Sequence, residues 1–212
     1  MSITIDQIEA AGGFSLVLAD PAWTYAQGGR GSTEKHYSTM TIDEIHDLPV
    51  HRLAAPDSVL FLWGTWPQLP AVMATFPAWG FEYKTVGFVW VKYRSSVDIK
   101  HVGGGFWTRA NTEFCLIGVR GKNHPKRVNK AIRQLIETPD EEKVLLAPLQ
   151  AHSAKPPEAR DRIVELMGDL PRIELFARQR VDGWQCWGDD PALGEPDVGL
   201  GASAECAGGS AA

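Results

Sequence analysis

What the chain has little of narrows its class. Only three cysteines occur in 212 residues, Cys115, Cys186 and Cys206. Their spacing fits no zinc motif, and an odd count argues against a disulfide framework. Reduced thiols, no metal site and a cytoplasmic setting are therefore expected. Cys115 lies inside an apolar run and reads as a small core residue. Long hydrophobic runs are missing too. A run such as Val59-Leu60-Phe61-Leu62-Trp63 is far too short to cross a bilayer, so no membrane association is expected. No basic leader with an apolar stretch opens the chain, which fits the same expectation. Gly28-Gly29-Arg30-Gly31 lacks the Lys-Ser/Thr pair of a phosphate loop, and its composition suits a flexible gate instead.

Positive charge is also in deficit. The formal net charge is −5, which weighs mildly against a phosphate-binding protein. Distribution matters more than the total. Arg120, Lys122, Lys126, Arg127, Lys130 and Arg133 follow one another with no acid between them. They form either a solvated loop or a patch facing the backbone of a nucleic acid.

What is present is an alternation of short apolar runs and helical patterns. Ser15–Ala19, Ser58–Trp63, Thr85–Lys92, Glu113–Val119 and Arg172–Ala177 read as buried strands, with Val144–Leu146 a further candidate. Thr41 with Glu44 forms a capping box for a helix that Pro49 stops. Residues 67–79 resemble a second helix. Pro156-Pro157 starts a third over Glu158–Met167, where Glu158 suits the positive end of the helix dipole. The pattern predicts an α/β fold with a mostly parallel sheet, whose ligands sit beyond the carboxyl ends of the strands. Residues 191–212 are mostly Gly, Ala, Pro and Ser and are expected to be a disordered tail behind a folded domain of residues 1–190.

The chemistry concentrates at Asp20-Pro21-Ala22-Trp23, which ends the first of these strands. An exocyclic aromatic amine is a poor nucleophile because its lone pair is delocalised into the ring. The Asp20 carboxylate and the Pro21 carbonyl could accept its two hydrogens and draw the nitrogen toward tetrahedral geometry. Trp23 could stack on the base. Taken alone, the tetrapeptide could equally be an Asp-Pro turn followed by a core tryptophan.

Six motifs occur in one order: Asp20-Pro21-Ala22-Trp23, Tyr37-Ser38-Thr39-Met40, Phe61-Leu62-Trp63, Trp90-Val91-Lys92, His152-Ser153-Ala154-Lys155-Pro156 and Ile173-Glu174-Leu175-Phe176-Ala177-Arg178. The series resembles the MT-A70 family of adenine-N6 methyltransferases over roughly residues 14–190. The resemblance implies a Rossmann-like, S-adenosylmethionine-dependent methyltransferase with the catalytic segment before the cofactor-binding segments. By that resemblance Asp20, Pro21, Ala22 and Trp23 form the catalytic loop, Tyr37 closes over the base, and Trp90 and Lys92 line the acceptor side. Lys155 corresponds to the residue that pairs with the cofactor's carboxylate. Glu174, Phe176 and Arg178 surround its ribose and adenine, with Gly188 and Asp189 closing the motif. A buried Glu174 needs either a ribose hydroxyl or a cationic neighbour as partner. His152 receives no proton-transfer role.

Two departures stand out. Ala22 replaces the usual second proline, which removes one fixed φ but keeps the Pro21 carbonyl. Asp189 replaces the usual asparagine; it can still accept from a ribose hydroxyl, but it would repel a carboxylate. The expected activity is methylation of adenine N6 in DNA. RNA as substrate, an inactive nucleic-acid-binding partner subunit and a small-molecule methyltransferase are the alternatives.

Overall fold

The computed structural model describes residues 2–23, 40–93, 107–108, 110–139, 155–188, 190 and 193–199. The chain enters through a two-residue strand β1 (Ile3–Thr4) and helix α1 (Ile5–Ala10). Then follow β2 (Phe14–Ala19), α2 (Ile42–Asp47), α3 (Val50–Leu53) and the long β3 (Ala54–Gly64). A 3-10 turn at Trp66–Gln68 leads into α4 (Leu69–Ala78), β4 (Glu82–Tyr93) and β5 (Thr112–Arg120). The remainder is β6 (Leu135–Pro139), α5 (Glu158–Met167), β7 (Arg172–Leu175), β8 (Gln185–Trp187) and β9 (Val198–Gly199).

Seven strands form one sheet in the order β6-β4-β5-β3-β2-β7-β8. All neighbours run parallel except at β5, which is antiparallel to both β3 and β4. The expected mostly parallel α/β sheet is therefore present. Strand β2 lies inside the sheet between β3 and β7, and its side chains alternate between the two faces as a strand's must. Val17 and Ala19 pack with α1 to α4 and with Leu60, Leu62 and Phe114. Leu16 and Leu18 pack with Phe61, Trp63, Phe88, Cys115 and the Ala159 and Ile163 side of α5. Cys115 is a buried core residue, as expected.

Local signals account for several boundaries. Thr41 Oγ1 accepts the Glu44 N–H at 3.2 Å while Glu44 Oε2 accepts the Thr41 N–H at 2.7 Å, so the capping box forms. Thr4 and Gln7 build a second one at α1. Helix α5 follows Pro156-Pro157 and ends at Gly168, whose φ of 86° only glycine adopts without strain.

The tail expectation needs correction over residues 193–199. β9 pairs with β1, placing Ile3 against Val198 and Thr4 against Gly199. Val198 is fully buried in the core. Asp197 pairs with Arg180 and accepts from both the N–H and the Sγ of Cys186. One valine and one aspartate with partners outweigh the small, polar composition around them. Residues 200–212 and the candidate strand Val144–Leu146 lie outside the described residues.

Candidate active site at the carboxyl edge of the sheet

Because β5 runs against its neighbours, its first residues lie beside the last residues of β3 and β4. The register pairs Phe114 with Gly64 and Glu113 with Trp90. The carboxyl end of β2 delivers Asp20 to the same edge. The peptide between β6 and α5 delivers Lys155 there, just ahead of the Pro156-Pro157 helix start.

Four charged side chains alternate in sign along this edge. Lys155 Nζ lies 2.8 Å from Asp20 and 3.1 Å from Glu113 Oε2. Lys92 Nζ donates to Glu113 Oε1 at 2.5 Å. The Lys155 and Glu113 side chains are only 12% and 9% exposed, and Asp20 is 19% exposed. At such burial an unpaired charge would be costly, and each of these groups has an oppositely charged partner. Burial pushes the Glu113 carboxyl up, but the charges of Lys155 and Lys92 and the Lys92 hydrogen bond outweigh it and hold the group below the usual carboxylate range. Burial likewise pushes Lys155 down, yet Asp20 and Glu113 together raise it above the ordinary lysine value. Glu113 Oε2 is nevertheless buried without an aligned hydrogen bond. Its contact with Lys155 is one of charge and distance rather than of directed donation.

Aromatic rings frame the chain of charges. Lys92 Nζ stands 4.6 Å from the Trp90 ring centre and Lys155 Nζ 5.8 Å from that of Trp63. Trp23 departs from expectation. Its ring is 6% exposed within the core, and its Nε1–H donates to the Trp63 carbonyl at 3.2 Å. Trp23 thus anchors the turn and offers almost no free face for stacking. Its backbone N–H donates to the Pro21 carbonyl at 2.9 Å, which leaves that oxygen one further lone pair.

The second half of the edge comes from β7 and β8. Glu174 is buried and finds its partner in Arg160, which donates to both carboxylate oxygens at 2.7 and 2.8 Å. Of the two partners expected for it, the structure supplies the cation. Phe176, just past β7, has a φ of 62°, the left-handed region that non-glycine residues avoid. Its ring meets Trp187 edge-on at 5.2 Å. Arg178 is half-buried two residues further on. A Cβ on Gly188 would sit 2.2 Å from the Ala177 carbonyl oxygen, so only glycine lets these two backbones approach. Tyr37, Asp189 and His152 lie outside the described residues, as does the Gly28-Gly29-Arg30-Gly31 segment expected to serve as a gate.

The basic segment is not gathered at this edge. Strand β5 carries the chain away from the site, and Arg120 pairs with Ser58 at the opposite end of β3. Arg120 is spent on the carbonyls of His51 and Ala54. Lys122, Lys126, Arg127, Lys130 and Arg133 are exposed, and Val128 between them is bonded to Leu166 at the far end of α5. The sequence reading missed Glu113 and Arg160. Glu113 opens an apolar strand and raises the same question of a missing partner that Glu174 raised. Arg160 shares the Ile163 and Met167 face of α5, an inward position for a charge.

A mostly parallel sheet carrying acidic and basic side chains at its carboxyl edge is the frame of a Rossmann-like methyltransferase. The MT-A70 pattern matches residues 14–190, and the chain belongs to that family of S-adenosylmethionine-dependent adenine-N6 methyltransferases. It is 32% identical over 196 residues to the Type II methyltransferase M.MunI of Mycoplasma sp, covering 82% of this chain and 76% of that protein. It is 30% identical over 172 residues to the human N(6)-adenosine-methyltransferase catalytic subunit METTL3, covering 81% of this chain and 27% of that protein. An Arabidopsis thaliana N(6)-adenosine-methyltransferase MT-A70-like protein is 28% identical over 186 residues, 86% of this chain and 24% of its own length. The chain thus spans about a quarter of these two eukaryotic relatives.

The residues present fit the cofactor's chemistry. The Lys155 ammonium suits a carboxylate, the Glu113 Oε2 without a hydrogen bond suits a donor, and the Ala177 backbone leaves no room for a side chain at Gly188.

Proposed function

We propose that this protein transfers a methyl group to the N6 amine of adenine in DNA. The observation that carries the proposal is the part-buried contact of Asp20 with Lys155, residues 135 positions apart in sequence, at the carboxyl edge of the sheet. It joins the expected amine acceptor to the expected cofactor ligand.

In this reading Lys155 holds the cofactor's carboxylate, and Phe176, Arg178 and Gly188 border its nucleoside. When bound, S-adenosylmethionine supplies an activated methyl group on a sulfonium. The chain's own residues then act on the amine. Asp20 and the free lone pair of the Pro21 carbonyl accept its two hydrogens, which localises the nitrogen lone pair. These acceptors are fixed before the base arrives, so little reorganisation opposes transfer. Trp90 and Lys92 border the acceptor side, and Glu113 pairs with both lysines. Glu174 serves first as the partner that fixes Arg160 on α5, and its remaining lone pairs can accept from the cofactor's ribose. The relatives named N(6)-adenosine-methyltransferases support N6 as the methylated atom, and the Type II methyltransferase supports DNA as the polymer. The exposed Lys122, Lys126, Arg127 and Lys130 follow the far end of β5, where they can touch only backbone remote from the reacting base, whereas Arg133 just precedes Leu135, which the register sets level with Val89 and Phe114.

The test is transfer of labelled methyl groups from S-adenosylmethionine to matched DNA and RNA, each with free or already methylated adenine N6. Label on DNA that vanishes with pre-methylated adenine supports the proposal. Label on RNA alone replaces DNA with RNA. No transfer, with cofactor bound, would make the chain an inactive subunit.

A further inference from the structure

We infer that the exposed indole of Trp66 is a stacking platform for a nucleobase next to the target adenine in the strand. The inference rests on the functional reading above and names the part of the substrate that the rim of that site would hold. Trp66 opens the 3-10 turn that leaves the carboxyl end of β3, and it is 48% exposed. Its ring is nonetheless fixed in two ways. Nε1–H donates to Thr112 Oγ1 at 2.8 Å, and the ring meets Phe114 at 4.8 Å with an interplanar angle of 61°. The indole therefore keeps an open surface without the freedom to collapse onto the protein.

Both tethers lead straight to the site. Thr112 directly precedes Glu113, the carboxylate that holds Lys92 and Lys155. Trp66 is three residues beyond Trp63, whose carbonyl anchors Trp23 and whose ring faces Lys155. Three consecutive Cα steps hold Trp63 and Trp66 within about 11 Å of each other. Trp66 thus stands on the rim of the charged edge, on the side of the sheet where Trp23 and Phe114 pack. Trp23 itself is buried and offers almost no stacking face.

The chemistry selects the occupant. An adenine that enters the site must leave its stack, which uncovers the face of its neighbour. A rigid, half-exposed indole can cover that face, and base–aromatic stacking of this kind is independent of base identity. Its strength of about 1–3 kcal/mol per base corresponds to about a 5- to 150-fold change in binding.

The test compares wild type, Trp66→Ala and Trp66→Phe on one adenine-containing oligonucleotide. Trp66→Ala should raise the KM for the oligonucleotide about 5- to 150-fold, with kcat and cofactor affinity within about twofold. Trp66→Phe should recover most of the loss. A 2-aminopurine placed beside the target adenine should stay quenched in the wild-type complex and brighten in the Trp66→Ala complex. A wild-type complex in which that probe is unquenched overturns the inference, even if the alanine variant fails to fold. So does a Trp66→Ala KM within twofold of wild type. Wild-type protein that methylates adenine in no polymer overturns the functional reading itself, and this inference with it. An active wild type beside an indistinguishable variant overturns this inference alone.

Discussion

Replacing Lys155 with methionine tests the charge chain at its centre. The substitution keeps most of the side-chain volume and removes the ammonium that Asp20 and Glu113 share. Two carboxylates then face each other, and Glu113 keeps only Lys92. Breaking a buried pair by removing one partner costs about 3–5 kcal/mol. Protonation sets a ceiling, because putting a proton on an ordinary glutamate at pH 7 costs about 3.7 kcal/mol. A loss of about 3–4 kcal/mol in a domain of this size lowers Tm by roughly 6–15 °C. The pH dependence identifies the cause. In the wild type, Glu113 is held below its usual range, so its contribution is present above the unfolded value and lost only as pH falls below about 4. In the variant, burial acts on Glu113 with half its compensation, and the folded protein binds protons more readily than the unfolded chain. The deficit should therefore shrink by up to about 2 kcal/mol between pH 7 and pH 5.5. Urea unfolding at the two pH values measures it. A deficit under about 1 kcal/mol, equal at both values, would refute the reasoning.

Other perturbations probe the flanks. Arg160→Met should destabilise the fold by about 3–5 kcal/mol, because it strands a buried Glu174. Combining it with Glu174→Leu should restore part of that loss, and strictly additive unfolding energies would contradict the pairing. Gly188→Ala should weaken S-adenosylmethionine binding by about 5- to 150-fold, since the new methyl meets the Ala177 backbone rather than a yielding side chain. Calorimetric titration showing unchanged affinity would remove Gly188 from the cofactor cradle.

Strand and helix identities were legible where one physical signal dominated. The unbroken apolar runs of β2 and β3 reported burial on both faces, and Thr41 with Glu44 marked the start of α2. Strand β6 was hidden because Leu135 is exposed on the sheet edge and Pro139 ends it. β1 and β9 are two residues each, below the length at which any period can be seen. At the site, Asp20 and Lys155 were readable from motif order, and the structure brings them into contact. Glu113 was not, because its meaning depends on β5 running antiparallel, which delivers the start of that strand to the edge where its neighbours end. The role of Trp23 was misjudged for a similar reason. An aromatic after a turn looks the same in sequence whether its ring faces substrate or core. The basic segment read as one patch by spacing, yet Arg120 is committed to backbone carbonyls and the rest lies away from Asp20.

The most direct test of the central claim is single-turnover methyl transfer by wild type and Asp20→Asn at saturating S-adenosylmethionine, with the product base identified by mass spectrometry. The account predicts N6-methyladenine from the wild type. It predicts a rate at least about 100-fold lower from Asp20→Asn, with cofactor affinity little changed. A rate for Asp20→Asn close to wild type, or a methyl group on another atom of the base, would contradict it.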